Sequence, residues 1–227
     1  MQKIGHRGAK GHEPENTLAS FRKAIQLGVD AIELDVHALN DGMLVVIHDK
    51  KVNRTTNGKG YVSKKTLQEL KNLNAGKGEK IPTLQEVLDV VKRKVQINIE
   101  LKGENTALPA SQIIKEYVKN NGWNYDDFLV SALDHRELQK FHTLVPQVRI
   151  GALILGLRIN YDKYIKELNA YSIHMFAKLV RKSVVEKAHE KGLKVFVYTV
   201  NSKKEIEKMK SLGVDGIFSD YPDRIIQ

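Results

Sequence analysis

The sequence contains no cysteine, so it can build neither a disulfide framework nor a thiolate metal site. Any metal has to be held by carboxylates, histidines or carbonyl oxygens, a donor set that favours a hard divalent cation. No apolar run is long enough to span a bilayer, and the start, Met1-Gln2-Lys3-Ile4-Gly5, lacks a basic region followed by an apolar stretch. The resulting expectation is a cytoplasmic protein. No G-x-G-x-x-G follows the first strand-like run, which weighs against a dinucleotide-binding open sheet. Long repeats and low-complexity tracts are missing too.

What is present suits one folded core. With 41% hydrophobic and 28% charged residues in 227, the composition is that of an ordinary globular chain, a little shorter than the roughly 250 residues typical of an eightfold β/α barrel. The formal charge of +10 raises the question of a polyanionic partner. The cations are spread among helical segments, as at Lys71, Lys92, Arg93, Lys115, Lys187 and Lys208, and alternate with acids. That pattern reads as solvated helix faces with a modest pull on an anionic substrate, and no nucleic-acid partner is expected.

Short β-branched runs alternate with amphipathic segments along the whole chain. Strands are predicted at 3–6, 30–37, 95–101, 128–133, 148–154, 170–174, 194–200 and 215–218, and each of the first seven is followed by room for a helix. Gly28 and Gly213 fall just past helical patterns, where a left-handed cap is wanted. The expected fold class is α/β, a single TIM (β/α)8-type barrel forming one catalytic domain over 1–227. One apolar run, 43–47, breaks the rhythm and predicts a β-hairpin extension after strand 2, with Asp41-Gly42 as a two-residue turn. In that register Asn40 pairs with Met43, Val36 with Ile47, and Asp35 faces His48. A small polar insertion at about 50–80 follows, with a short helix at 66–72, before Thr83 caps the next helix.

Chemistry-bearing residues sit at the predicted strand ends, where barrel enzymes place their active sites. Gly5-His6-Arg7-Gly8 ends the first strand. In Glu33-Leu34-Asp35 the two-residue strand period sends both carboxylates to one face, and Ile32, Leu34 and Val36 occupy the face under the helices. Asn98, Glu100 and Lys102 repeat the arrangement. Buried carboxylates need a cation or a proton, so Glu33, Asp35 and Glu100 are candidate ligands for one divalent cation, Mg²⁺ or Ca²⁺, with Mn²⁺ as a third candidate. Arg7 and Lys102 add the positive charge that a phosphate requires.

The chain resembles the glycerophosphodiester phosphodiesterase family. The motifs His6-Arg7-Gly8, Pro14-Glu15-Asn16-Thr17, Glu33-Leu34-Asp35-Val36, His48-Asp49, Arg54-Thr55-Thr56, Ile81-Pro82-Thr83-Leu84, Glu100-Leu101-Lys102 and Asp215 to Pro222 occur in the family's order. The resemblance implies hydrolysis of glycerophosphodiesters to sn-glycerol 3-phosphate and an alcohol. It implies His6 and His48 as the acid/base pair, Glu33, Asp35 and Glu100 as metal ligands, and Arg7 and Lys102 as phosphate holders. Tyr198 stands where many members carry tryptophan, and its ring is expected to line the alcohol side of the pocket. Lysophospholipase D-type or cyclising relatives are the alternative within enzymes, and a silent phosphate-binding module is the alternative outside them. The insertion offers only Tyr61, Val62 and a few leucines, so a water-soluble substrate without stable membrane association is expected. His12, His37, His135, His142 and His189 are read as loop or helix residues, and His174 as a rim residue. Asn16 is read as a helix cap, with Glu15 helping to orient neighbouring site residues. Ser219 and Asp220 are read as a cap before Pro222.

Overall fold

The computed structural model describes residues 1–156 and 165–226. Its strands are β1 (Gln2–Gly5), β2 (Ala31–Ala38), β3 (Leu44–Val46), β4 (Gln96–Leu101), β5 (Phe128–Ala132), β6 (Arg149–Ile154), β7 (Ser172–Phe176), β8 (Lys194–Tyr198) and β9 (Gly216–Ser219). All but β3 pair in parallel in the order β1-β9-β8-β7-β6-β5-β4-β2, and β1 also pairs with β2, which closes an eight-stranded barrel. The predicted strands are found within one or two residues of their ends. The connection from β6 to β7 passes through 157–164, so the helix expected there falls partly outside the described residues.

Local sequence explains the outer layer. Helix Leu84–Val91 buries Leu84, Val87, Leu88 and Val91, the i, i+3, i+4, i+7 stripe of a helix facing a core. Its start is fixed by a capping box in which Thr83 and Glu86 satisfy each other's backbone N–H, as Ser202 and Glu205 do for helix Lys203–Ser211. These stripes meet the outward residues of the strands, including Ile32, Leu34, Val36, Ile97 and Ile99, in one apolar shell between barrel and helices. The opposite parity of each strand then points into the barrel.

The hairpin differs from expectation by one residue. Ala38 pairs with Leu44, His37 with Val45 and Val36 with Val46, while the Leu39 N–H donates to the Met43 carbonyl oxygen at 2.8 Å. The loop is therefore Asn40-Asp41-Gly42, three residues long, with Gly42 at φ +85° donating to the Leu39 carbonyl at 3.0 Å. A type I turn followed by a left-handed glycine uses the same Asp-Gly pair as a two-residue turn, and here it wins because Asp41 also accepts from the Met43 N–H at 3.0 Å. A slip of one residue exchanges faces, so Asp35 opposes Ile47 and not His48. Val45 and Ile47 accordingly join Leu39, Val52, Val62, Leu70 and Ile81 in a second small core on which the insertion rests. Helix Leu67–Asn72 forms there as expected, capped by Thr66 and Glu69. Lys77 pairs with Glu13 at 2.9 Å and Glu79 accepts from the Ala19 N–H at 3.1 Å, tying the insertion to the loop after β1 and to the first turn of the helix that follows it.

Candidate active site

Strand register divides the barrel interior into two halves. The inward positions near the C-terminal ends of β1, β2 and β4 carry His6, Glu33, Asp35, Glu100 and Lys102, and those of β5 to β9 carry Leu133, Leu153, Leu155, Phe176, Tyr198 and Phe218. Between them lies a cavity of about 220 Å³ lined by His6, Arg7, Glu33, His48, Glu100, Lys102, Tyr198 and the apolar wall. A larger open groove of about 1010 Å³ between the hairpin, the insertion and helices Ala107–Asn120 and His135–Leu144 shares no lining residue with this cavity.

The chain turns sharply after β1. Arg7 is left-handed at φ 54° and Gly8 at φ +80°, and a Cβ on Gly8 would come within 2.7 Å of the Ser20 backbone. This turn directs the Arg7 N–H to Glu33 Oε2 at 2.8 Å, its Nη1 to Glu15 Oε1 at 2.7 Å, and its Nε to within 3.4 Å of Asp35 Oδ2. Asn16, expected to cap the first helix, is instead left-handed at φ 58° and donates to Asp35 Oδ2 at 2.8 Å; Thr17 is the cap. A cap needs extended backbone, which Thr17 has and Asn16 does not.

Glu33, Asp35 and Glu100 each offer an oxygen, and these lie within 4.8 Å of one another. Glu33 Oε1 and Asp35 Oδ1 are buried without a hydrogen-bond partner. Burial, the Asp35 charge and the Glu100 charge hold Glu33 well above the ordinary carboxylate range, and burial with the Asp35 charge pushes Glu100 up to about 7. Lys102 Nζ contacts Glu100 at 2.8 Å and approaches Asp35 at 3.7 Å, and with Arg7, which Glu15 also claims, the cluster is still short of positive charge. An oxygen-only set with free buried lone pairs fits a divalent cation, whose charge favours the ionised form of all three.

Both histidines are anchored through Nδ1. His6 Nδ1 lies 2.6 Å from Asp220 Oδ1, and Asn201 Nδ2 donates to the other oxygen of Asp220 at 2.9 Å. Burial would raise Asp220, but its hydrogen bond to His6 and the His6 charge hold it down at about 2. Burial lowers His6 from its ordinary value against the opposing pull of Asp220. His48 Nδ1 lies 2.7 Å from Asp49 Oδ1, and its carbonyl oxygen accepts from His37 Nε2 at 3.1 Å. Burial lowers His48 also, opposed by Asp35 and Asp49. In each imidazole Nε2 remains for the cavity.

The structure thus brings His6, Arg7, Glu33, Asp35, His48, Glu100, Lys102 and Tyr198 to one site. His37 belongs to β2 and supports His48 from below, so it is not a loop or helix residue. His174 is not at the rim: it is buried in β7, bonded to Ser172 Oγ at 3.0 Å and packed against Phe196 and Phe218, and burial pushes it down to about 3. Asp220 is more than a cap, since barrel closure places it on His6. Its sequence signals are its place in the Asp215 to Pro222 motif and its position directly after the last strand, which a closed barrel sets beside the first. Arg54 and Glu15 complete the surroundings, and the rim at the ends of β5 to β7 exposes Leu133, Leu155 and Phe176. Among the described residues no helix is long and apolar enough to cross a membrane.

An eightfold barrel with a three-carboxylate cluster between two imidazoles and two positive side chains has the groups that a phosphodiesterase needs. The profile of the glycerophosphoryl diester phosphodiesterase family matches residues 6–224. A glycerophosphodiester phosphodiesterase of Bacillus altitudinis is 41% identical over 100% of this chain and 98% of its own. One from Caldanaerobacter subterraneus subsp. tengcongensis is 38% identical over 98% and 95%. The solved structure of an Oleispira antarctica phosphodiesterase in complex with the product sn-glycerol-3-phosphate superposes with a TM-score of 0.92 at 32% identity, covering 100% of this chain and 95% of that one. The chain belongs to the glycerophosphoryl diester phosphodiesterase family.

Proposed function

We propose that this chain hydrolyses glycerophosphodiesters to sn-glycerol 3-phosphate and an alcohol, with the barrel and its insertion at about 50–80 acting as one catalytic unit. The observation that carries this reading is the convergence of the three-carboxylate cluster, two carboxylate-anchored imidazoles, Arg7 and Lys102 on one cavity. Glu33, Asp35 and Glu100 would hold one divalent cation, Mg²⁺, Ca²⁺ or Mn²⁺, which supplies Lewis-acid polarisation of the phosphoryl group. Arg7 and Lys102 bind the phosphate oxygens and keep the reacting phosphorus between the two histidines.

His6 serves as the base. Its Nδ1–H is held by Asp220, and burial keeps the ring neutral, so the Nε2 lone pair accepts the proton of the glycerol 2-hydroxyl as that oxygen bonds to phosphorus. His48 serves as the acid. Asp35 and Asp49 oppose the burial that lowers its pKa, and its Nε2–H passes to the departing alcohol oxygen as the phosphorus–alcohol bond breaks. Water then opens the resulting cyclic phosphate with the roles exchanged: His48 takes the water proton and His6 returns one to the 2-oxygen. The test is divalent-dependent release of glycerol 3-phosphate from glycerophosphocholine; a protein that releases none with any of the three cations refutes the reading.

One observation favours a second substrate class. Leu133, Leu155 and Phe176 are 47%, 61% and 41% exposed at the mouth, beside Tyr198. The insertion adds nothing to this wall, since Val62 is buried and the exposed Tyr61 lines the separate outer groove, and the apolar edge comes instead from the ends of β5 to β7. Such a wall suits an acyl chain, so lysophospholipids compete with soluble diesters for the site. Comparing kcat/KM for glycerophosphocholine and lysophosphatidylcholine at equal cation concentration decides between them.

A further inference from the structure

The insertion reaches the surroundings of the site through Arg54, whose side chain makes four hydrogen bonds. Arg54 donates from Nε to Asp49 Oδ2 at 2.8 Å and from Nη2 to Asp49 Oδ1 at 2.9 Å. It donates from Nη1 to Glu15 Oε2 and from Nη2 to Glu15 Oε1, both at 2.8 Å. Glu15 in turn holds Arg7 Nη1 at 2.7 Å, and Asp49 holds His48 Nδ1 at 2.7 Å. The result is a chain of alternating charge, Arg7–Glu15–Arg54–Asp49–His48, that meets the carboxylate cluster through Arg7, whose N–H and Nε face Glu33 and Asp35. Arg7 belongs to the loop after β1 and His48 to the loop after β3; among these contacts only Arg54 joins the two halves.

Two-pronged arginine–carboxylate pairs fix relative orientation as well as distance, because the planar fork accepts only one arrangement of each partner. Two such pairs on one guanidinium define the position of Glu15 against Asp49, and through them that of Arg7 against the His48 ring. From this geometry, and resting on the roles proposed above for Arg7 and His48, we infer that Arg54 is a positioning residue for the reaction. It fixes the phosphate-holding arginine and the proton-donating imidazole in one mutual geometry without touching substrate. The insertion is thereby a working part of the site and not only a cover.

The experiment compares wild type, Arg54→Ala, Arg54→Lys, Asp49→Asn and the double variant Arg54→Ala/Asp49→Asn on glycerophosphocholine. Arg54→Ala is expected to lower kcat by about 10- to 100-fold, the scale of a misplaced reacting group, while calorimetric cation affinity stays within about twofold. Arg54→Lys is expected to recover little, because an ammonium cannot span both carboxylates. The side chain is half-exposed, so added guanidinium ion should reach the gap and restore part of kcat. In the Asp49→Asn background the further loss should be much smaller than in wild type. A merely structural arginine would give a loss that tracks thermal stability and that guanidinium does not rescue; that result, or an Arg54→Ala kcat within twofold of wild type, overturns the inference. Histidine ¹⁵N spectra supply a readout that needs no turnover: the His48 Nδ1 signal should move in Arg54→Ala and the His6 signal should not. An unmoved His48 signal overturns the inference even in a protein without diesterase activity, whereas an inactive wild type with a moved signal removes only the functional reading.

Discussion

Replacing Asp220 with asparagine keeps the shape of the side chain beside His6 and removes its charge. The carboxylate sits 2.6 Å from His6 Nδ1 and is held by Asn201 on its other side, so the amide enters the same space. Burial opposes ionisation of Asp220, yet the His6 hydrogen bond and charge, with Lys10 and Asn201, bring it from 3.8 to about 2, a net preference for the anion worth about 2 kcal/mol. The same hydrogen bond and charge act on His6, where they raise its pKa against burial. In the variant His6 keeps the burial that lowers its pKa and loses the partner that raises it, so its pKa falls further. The acid limb of kcat/KM, set by protonation of the base, should therefore move to lower pH. The plateau should also fall by about 10²- to 10⁴-fold, because an amide can donate to Nδ1 and stabilise the tautomer that blocks Nε2 as acceptor. The assay is coupled detection of glycerol 3-phosphate from glycerophosphocholine between about pH 5 and pH 8, the range in which imidazoles titrate. A variant with an unshifted or upward-shifted acid limb and a plateau within a few-fold of wild type would refute the argument that Asp220 orients and charges His6.

Other perturbations probe the remaining links. Chelation should abolish turnover, and Glu33→Ala, Asp35→Ala and Glu100→Ala should each weaken calorimetric cation binding, since each removes a charged ligand from an oxygen-only cluster. His48→Ala should lower kcat by about 10²- to 10⁴-fold with an unchanged circular dichroism spectrum. Burial would raise Glu15, but Arg54 and Arg7 hold it at about 2 against an ordinary 4.5; its folded pKa is depressed, so its stabilisation is complete above pH 4.5 and is lost as pH falls toward 2. That contribution is about 3 kcal/mol, and in Glu15→Gln the pH-dependent part of urea stability across this window should shrink accordingly. Phe21→Ala, in a helix packed on β2 with no exposed surface, should cost about 3 to 5 kcal/mol in the same unfolding measurement.

The parts of this fold legible in the sequence are those governed by short-range periodicity. Alternation in Ile32-Glu33-Leu34-Asp35-Val36 states which side chains face inward before any contact is known, and the spacing of Leu84, Val87, Leu88 and Val91 does the same for a helix. The hairpin register was less legible because Asp41-Gly42 is compatible with two loop lengths, and the choice depends on the backbone angle of Gly42. Asn16 shows the same limit: a residue type favoured at caps is also one that tolerates φ of 58°, and tertiary demand from Asp35 decided between them. Asp220 and the apolar rim were hidden for another reason. The first arises from a contact 214 residues apart, and the second from the ends of three strands whose leucines and phenylalanine look unremarkable one at a time.

The seam where β1 meets β9 has a consequence for when the molecule becomes competent. Every carboxylate of the cation cluster is contributed by residues up to Glu100, on neighbouring strands, so cation capture requires only that arc of the wall. His6 acquires its orienting partner only after the ring is complete, because Asp220 reaches it across that final pairing. Without the β1–β9 pairing the three carboxylates would keep their neighbouring strands and His6 would lose its orienting partner. On the roles proposed above, turnover therefore depends on the β1–β9 pairing, whereas the grouping of the three carboxylates does not.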